Sequence, residues 1–198
     1  MSTRGQDPAG APQPGGPGAR VGPVALADRI RARVRDVPDF PSPGILFKDI
    51  TPLLADAPLF HDLITHFRDH FARASADVVV AIESRGFIVG APIALALGAA
   101  FVPVRKPGKL PSRTVRVDYQ LEYGTDSLEA HVDSIQPGQR VLVIDDVLAT
   151  GGTAAGTVDL VRKLGGTVIG CGFVIELGFL GGRGKLPGIT TDSILVYD

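Results

Sequence analysis

The chain has 198 residues, 44% of them hydrophobic and 21% charged, enough for one domain with a sizeable core. Its formal net charge of -1 gives no global reason to expect nucleic acid or an anionic membrane as a partner. Cys171 is the only cysteine, which excludes an internal disulfide and a cysteine-based metal cluster. No apolar run approaches membrane-spanning length, and the N-terminus lacks the basic-then-apolar order of a secretory signal, so the expected compartment is the cytosol.

Residues 1–23 are mostly Gly, Pro, Ala and polar residues and are expected to form a disordered tail outside a single domain over 24–198. Leu26, Ile30, Val34 and Val37 stand at helical spacing and predict a short amphipathic helix over 24–37. Residues 38–54, broken by four prolines, read as an extended loop with a short strand around 45–47. Leu59, Leu63, Ile64, Phe67 and Phe71 predict a helix over 56–74. The β-branched run 77–82 reads as a strand covered on both faces. A helix over 86–98 and a strand over 99–104 follow. Residues 105–128 are polar and basic, with a β-like end at 119–124. Strands at 141–144, 167–175 and 193–197 and a helix at 153–164 complete the pattern. Alternation of strand and helix predicts a parallel α/β sheet flanked by helices, with right-handed crossovers and ligands at the carboxyl ends of the strands.

The stretch "VLVIDDVLATGGTAAGTVDLV" (141–161) carries the chemistry. Four apolar residues lead into Asp145 and Asp146, expected at the end of a buried strand. Gly151 and Gly152 let the backbone approach a ligand closely. N–H groups from Ala149, Thr150, Gly151, Gly152 and Thr153 form a nest suited to a phosphate at a helix N-terminus, and either threonine would cap that helix. This is neither a Walker A loop nor G-x-G-x-x-G, so a nucleoside triphosphate or a dinucleotide is not favoured. The carboxylates suit hydroxyls, or Mg²⁺ held through water. Phosphate, then neighbouring hydroxyls, then a metal describes a sugar phosphate. The plainer alternative is an acidic pair that solubilises a helix entry.

The whole order of strand, Asp-Asp, Thr-Gly-Gly-Thr and helix resembles the signature of the phosphoribosyltransferases, which bind 5-phosphoribosyl 1-diphosphate (PRPP). "DFPSPGILFKDITPLL", "ESRGFIVGAPIALALG", "VPVRKPGKLP" and "LEYGTDSLEAH" are similar to segments of the adenine-specific branch, in that branch's order. The resemblance covers about residue 26 to the C-terminus. It implies a parallel sheet with a small N-terminal hood and a mobile lid at about 105–128. It also implies a homodimer that uses Mg²⁺ and makes AMP and pyrophosphate from adenine and PRPP in purine salvage. By resemblance, 149–153 bind the 5-phosphate and Asp145 and Asp146 the ribose. Ser84, Arg85, Arg105, Lys106 and Lys109 face the diphosphate. Phe47 stacks on the purine, with backbone groups of Leu46 and Lys48 reading its edge. Mg²⁺ would arrive with PRPP, with no direct protein ligand assigned. Glu122, beside Tyr123 on the lid, is the candidate general acid/base near N7 of adenine.

Taken singly, these residues have simpler readings. Arg85 would pair with Glu83 or the next helix, residues 105–113 would be a solvated basic loop, Glu122 an outward strand residue, and Phe47 core. His66 and His70, spaced i, i+4, read as a helix surface, with no metal-ligand grouping among the histidines. Two rival functions stand beside the main one. One is a phosphoribosyltransferase for hypoxanthine, guanine or xanthine, whose members often carry Asp at the place of Ala149. The other is a PRPP-binding regulator, which would need a basic DNA-binding segment.

Overall fold

The helix predicted over 24–37 stops short. In the computed structural model, which describes residues 25–121 and 124–198, α1 covers only Leu26–Arg31. Arg35–Pro38 then forms β1, antiparallel to β2 (Leu46–Asp49). Arg35 stands opposite Asp49 and Asp36 opposite Lys48, so both pairs bring unlike charges together, at 3.1 and 2.6 Å. Pro38 could not have continued the helix. These two strands form the N-terminal hood. The sequence reading of 38–54 also lacks α2 (Thr51–Leu54), where Pro52 occupies the first turn, a position that needs no intrahelical N–H donor.

The remaining elements fall close to expectation. Asp56 caps α3 (Ala57–Phe71) by accepting a 3.2 Å bond from the Leu59 N–H, and Leu59, Leu63, Phe67 and Phe71 are buried. β3 (Val78–Ile82), α4 (Arg85–Leu97) and β4 (Ala100–Val104) follow. The β-like end of the basic stretch is half of a hairpin, β5 (Thr114–Leu121) with β6 (Gly124–His131), paired from Thr114–His131 to Leu121–Gly124. The strands thus run past residue 128. β7 (Arg140–Leu148), α5 (Gly152–Lys163), β8 (Thr167–Leu177) and β9 (Thr191–Tyr197) end the fold. The tail predicted over 1–23 lies outside the described residues.

The main sheet has the order β4-β3-β7-β8-β9, and all its pairings are parallel. Alternate residues of β3 and β7 enter two different cores, as the uninterrupted apolar runs predict. Val78, Val80, Ile82, Val141 and Val143 pack toward α5 and the hairpin; Val79, Leu142 and Ile144 pack toward α3 and α4. Glycines in β8 bring α3 close to the sheet: a Cβ on Gly170 would lie 2.7 Å from the Phe71 ring, and one on Gly172 2.9 Å from Phe67. Cys171 between them is fully buried, and burial pushes its thiol up to about 12.

Candidate active site

The strand order reverses at β3. The chain passes from β3 to β4 on one side and later fills the other side with β7, β8 and β9. Such a reversal leaves a crevice at the carboxyl ends of β3 and β7. Asp145 and Asp146 lie there, but inside β7 rather than after it. β8 is long enough to keep pairing, with Asp145 opposite Phe173 and Leu148 opposite Glu176.

Beyond β7 the chain forms a small cavity of about 80 Å³, walled by Asp145 and residues 147–154. Gly151 takes φ +76°, a left-handed conformation that favours glycine, and serves as the N-cap of α5. No side chain caps that helix, contrary to the role expected of Thr150 or Thr153. Thr153 Oγ1 instead donates to the Tyr119 hydroxyl of the hairpin at 3.4 Å. First-turn N–H groups without a side-chain cap, with the positive end of the helix dipole behind them, suit a phosphate. Sequence reasoning gave the neighbouring 180–186 segment no role, yet it buttresses this loop. A Cβ on Gly182 would lie 2.1 Å from the Ala149 carbonyl oxygen, and one on Gly151 2.3 Å from the Gly182 carbonyl oxygen. The turn holding Gly182 is fixed by Arg183, which donates to both oxygens of Glu176 and to the Thr191 carbonyl (2.8 Å). Those bonds hold the Glu176 carboxyl below its ordinary range despite its burial.

A second cavity, about 350 Å³, adjoins the first. Asp145 and Thr153 line both, and Glu83, Ser84, Arg85, Lys106 and Asp146 complete the polar wall of the larger one. Arg85 donates through Nε to Asp146 rather than to Glu83. Glu83 binds the Arg105 Nε (2.7 Å) and the Lys106 N–H (3.2 Å), so it fixes the start of the basic stretch. Arg105 also donates to the Lys109 carbonyl, at 3.1 Å, and Lys109 itself is exposed. Of the predicted cations, the structure brings Arg85 and Lys106 to the cavity wall, and not Arg105 or Lys109. Lys106 Nζ is held by Asp126 and, at 3.1 Å, by the Tyr119 hydroxyl. Burial disfavours its charge, but these two partners outweigh burial and raise its pKa. Neither Asp126 nor Tyr119 was visible as a site residue, because their partners are distant in sequence.

The Asp145 carboxylate is partly buried, with Oδ1 accepting the Asp146 N–H at 2.9 Å. It lies against the first turn of α4, where a Cβ on Gly86 would come within 2.7 Å of it. Burial first, and the charge of Asp146 second, push this carboxyl well above the usual carboxylate range. The Asp146 N–H and Arg85 pull it down without reversing the shift.

A third cavity, about 310 Å³, is lined by Val37, Phe40, Phe47, Asp49, Thr51 and Arg85. Phe40 meets Phe47 edge to face at 5.1 Å, and the Arg85 guanidinium lies 4.8 Å above the Phe47 ring. Phe47 is therefore a cavity wall as well as a packed ring. Leu46 and Lys48 point their side chains elsewhere: Leu46 is 49% exposed, and Lys48 reaches Asp36 and covers the Tyr197 ring at 4.2 Å. Only backbone groups of 46 and 48 remain for the role expected of them. Glu122 and Tyr123 lie outside the described residues.

Comparison with known proteins identifies the family. A family model described as the phosphoribosyl transferase domain matches residues 55–185. A curated adenine phosphoribosyltransferase from Solibacter usitatus is 55% identical over 85% of this chain and 98% of its own. The crystal structure of adenine phosphoribosyltransferase from Thermoanaerobacter pseudethanolicus superposes with a TM-score of 0.85 at 49% identity, covering 87% of this chain and 100% of that one. The Saccharomyces cerevisiae enzyme, solved with an imino-altritol bisphosphate and adenine, has a TM-score of 0.81 at 41% identity, covering 85% and 98%. The chain belongs to the phosphoribosyltransferase family, among the adenine phosphoribosyltransferases.

Proposed function

We propose that the chain transfers the 5-phosphoribosyl group from PRPP to adenine, giving AMP and pyrophosphate. One observation carries this reading: three cavities adjoin in a row, the first two sharing Asp145 and the last two sharing Arg85. Their chemistry changes along the row from backbone N–H donors, to carboxylates with cations, to an aromatic wall. That is the order of 5-phosphate, ribose with diphosphate, and base.

In this reading residues 149–153 hold the 5-phosphate, and Asp145 and Asp146 accept from the ribose hydroxyls. Pyrophosphate leaves C1 of the ribose while positive character grows on the sugar, so the protein contributes positioning and charge stabilisation. Arg85 and Lys106 receive the diphosphate, joined by Ser84 and, once the basic stretch rearranges, by Arg105 and Lys109. Arg85 offers a bidentate fork and Lys106 a point charge. Phe47 stacks on adenine, with Leu46 and Lys48 backbone groups at its edge. The hard oxygen donors of Asp145, in two of the cavities, fit a Mg²⁺ carried by PRPP through water, and that ion would neutralise charge on the leaving diphosphate. Glu122, on the lid with Tyr123, moves the proton near N7.

Among the described residues no helix is long and apolar enough to cross a membrane. The single, buried cysteine suits a reducing compartment such as the cytosol. Ile88 and Leu95, 46% and 84% exposed on α4, favour a homodimer, which sedimentation of the purified chain would reveal.

The deciding assay offers PRPP, Mg²⁺ and each purine base in turn and follows pyrophosphate release. Turnover is expected with adenine; turnover confined to hypoxanthine, guanine or xanthine would reject the assignment. In the same assay Glu122→Ala should lower kcat by about 100-fold or more, the scale of general acid–base catalysis, with little change in PRPP affinity. Unchanged kcat would remove Glu122 from the mechanism.

A further inference from the structure

His66 and His70 stand one turn apart on α3, and the sequence alone reads them as a solvated face without a metal-ligand grouping. The fold brings a carboxylate beside them. Asp192, near the start of β9, places Oδ2 at 2.7 Å from His66 Nε2 and Oδ1 at 4.0 Å from His70 Nδ1. One donor atom from each of the three residues lies within 4.8 Å of the other two. We propose that His66, His70 and Asp192 form a binding site for a divalent transition-metal ion, with Zn²⁺ the best match.

Two imidazoles and one carboxylate make a donor set that zinc accepts, with water in the fourth position. Imidazole nitrogen also selects against Mg²⁺ and Ca²⁺. Tetrahedral zinc with bonds near 2.1 Å separates its donor atoms by roughly 3.4 Å. The present spacings bracket that value, so the site closes by side-chain rotation. The histidine side chains are 33% and 40% exposed, which leaves them room to adjust. Their backbone has none, because the adjoining Phe67 and Phe71 are buried in the core. Asp192 is equally well anchored. Its strand pairs with β8 at Gly172, and Arg183 donates to the Thr191 carbonyl and, at 3.2 Å, to the Ser193 hydroxyl on either side of it. Arg183 acts electrostatically on Asp192, and its charge is already engaged by Glu176. The cluster sits at the amino end of β9, whereas the three cavities gather at the carboxyl ends of β3 and β7. A bound ion would therefore clip α3 to the sheet edge without entering the phosphoribosyl chemistry.

The test titrates the chelator-treated full chain with Zn²⁺ by calorimetry, and with Co²⁺ followed by its visible absorption. One ion per chain in the micromolar range is expected, with a rise in the melting midpoint. His70→Ala and Asp192→Asn should each weaken Zn²⁺ binding at least about tenfold, and His66→Ala with His70→Ala should abolish it. His61→Ala, elsewhere on α3, should leave binding unchanged, and all variants should keep adenine turnover. No binding at about 100 µM Zn²⁺, or equal binding by His70→Ala and the parent chain, would overturn the proposal. Should Asp192→Asn fail to fold, His70→Ala on the exposed helix face decides alone.

Discussion

Gly182→Ala is expected to lower kcat/KM for PRPP on the order of 100-fold, while Gly184→Ala, in the same turn, leaves it unchanged. A Cβ at 182 would press on the Ala149 carbonyl oxygen at 2.1 Å and on the Gly151 nitrogen at 2.8 Å. Both contacts are to backbone, which cannot swing aside as a long side chain would. The phosphate loop must shift by an ångström or so, and displacement on that scale costs about 100-fold in a positioned reaction. Gly184 has open space where its Cβ would go, so it controls for the flexibility of the turn. Steady-state kinetics with varied PRPP, beside thermal unfolding of both variants, separates the outcomes. Unchanged PRPP kinetics in Gly182→Ala would show that the turn does not set the loop's geometry.

Asp145→Asn should split activity from stability. A raised carboxyl pKa means that the fold disfavours the ionised form. That group's favourable contribution is complete below the ordinary carboxylate pKa of about 3.9 and is lost as pH rises through the folded-state value. At neutral pH the native chain therefore carries a cost at Asp145, which asparagine removes while keeping an oxygen for the Asp146 N–H. The variant should match or exceed the parent in urea midpoint at pH 8, with the difference closing toward pH 4. Its kcat/KM for PRPP should fall about 10- to 100-fold, the scale of one hydrogen bond to a charged group of about 1.5–3 kcal/mol. A variant less stable than the parent at pH 8, with normal kinetics, would make Asp145 a structural residue.

The central strands were legible because burial on both faces leaves a sequence no polar positions: Val78–Ile82 reads as what it is. The grouping of Asp145 with the glycine turn around one cavity was legible because its residues are local, with glycine, threonine and carboxylate within nine residues, 145–153. Elsewhere local pattern lost to pairing. Val34 and Val37 continue a helical stripe, yet β2 claims 35–38 for a strand. The end of β7 was set too early because nothing in "DDVL" announces that β8 extends far enough to pair with it. Gly182 and Asp126 were given no role for one reason: each acts on a segment at least 20 residues away. Asp192 escaped in the same way, being 126 residues from His66.

Arg85 touches Asp146 on one side and the face of Phe47 on the other. A single guanidinium thus walls two cavities, and in the proposed function its position is one that both ligands would act upon. A ligand that draws it toward the diphosphate end uncovers the ring; one that takes the ring face pushes it back toward the carboxylate. Thermodynamic reciprocity then requires each substrate to alter the other's affinity by the same factor, without the two ever touching.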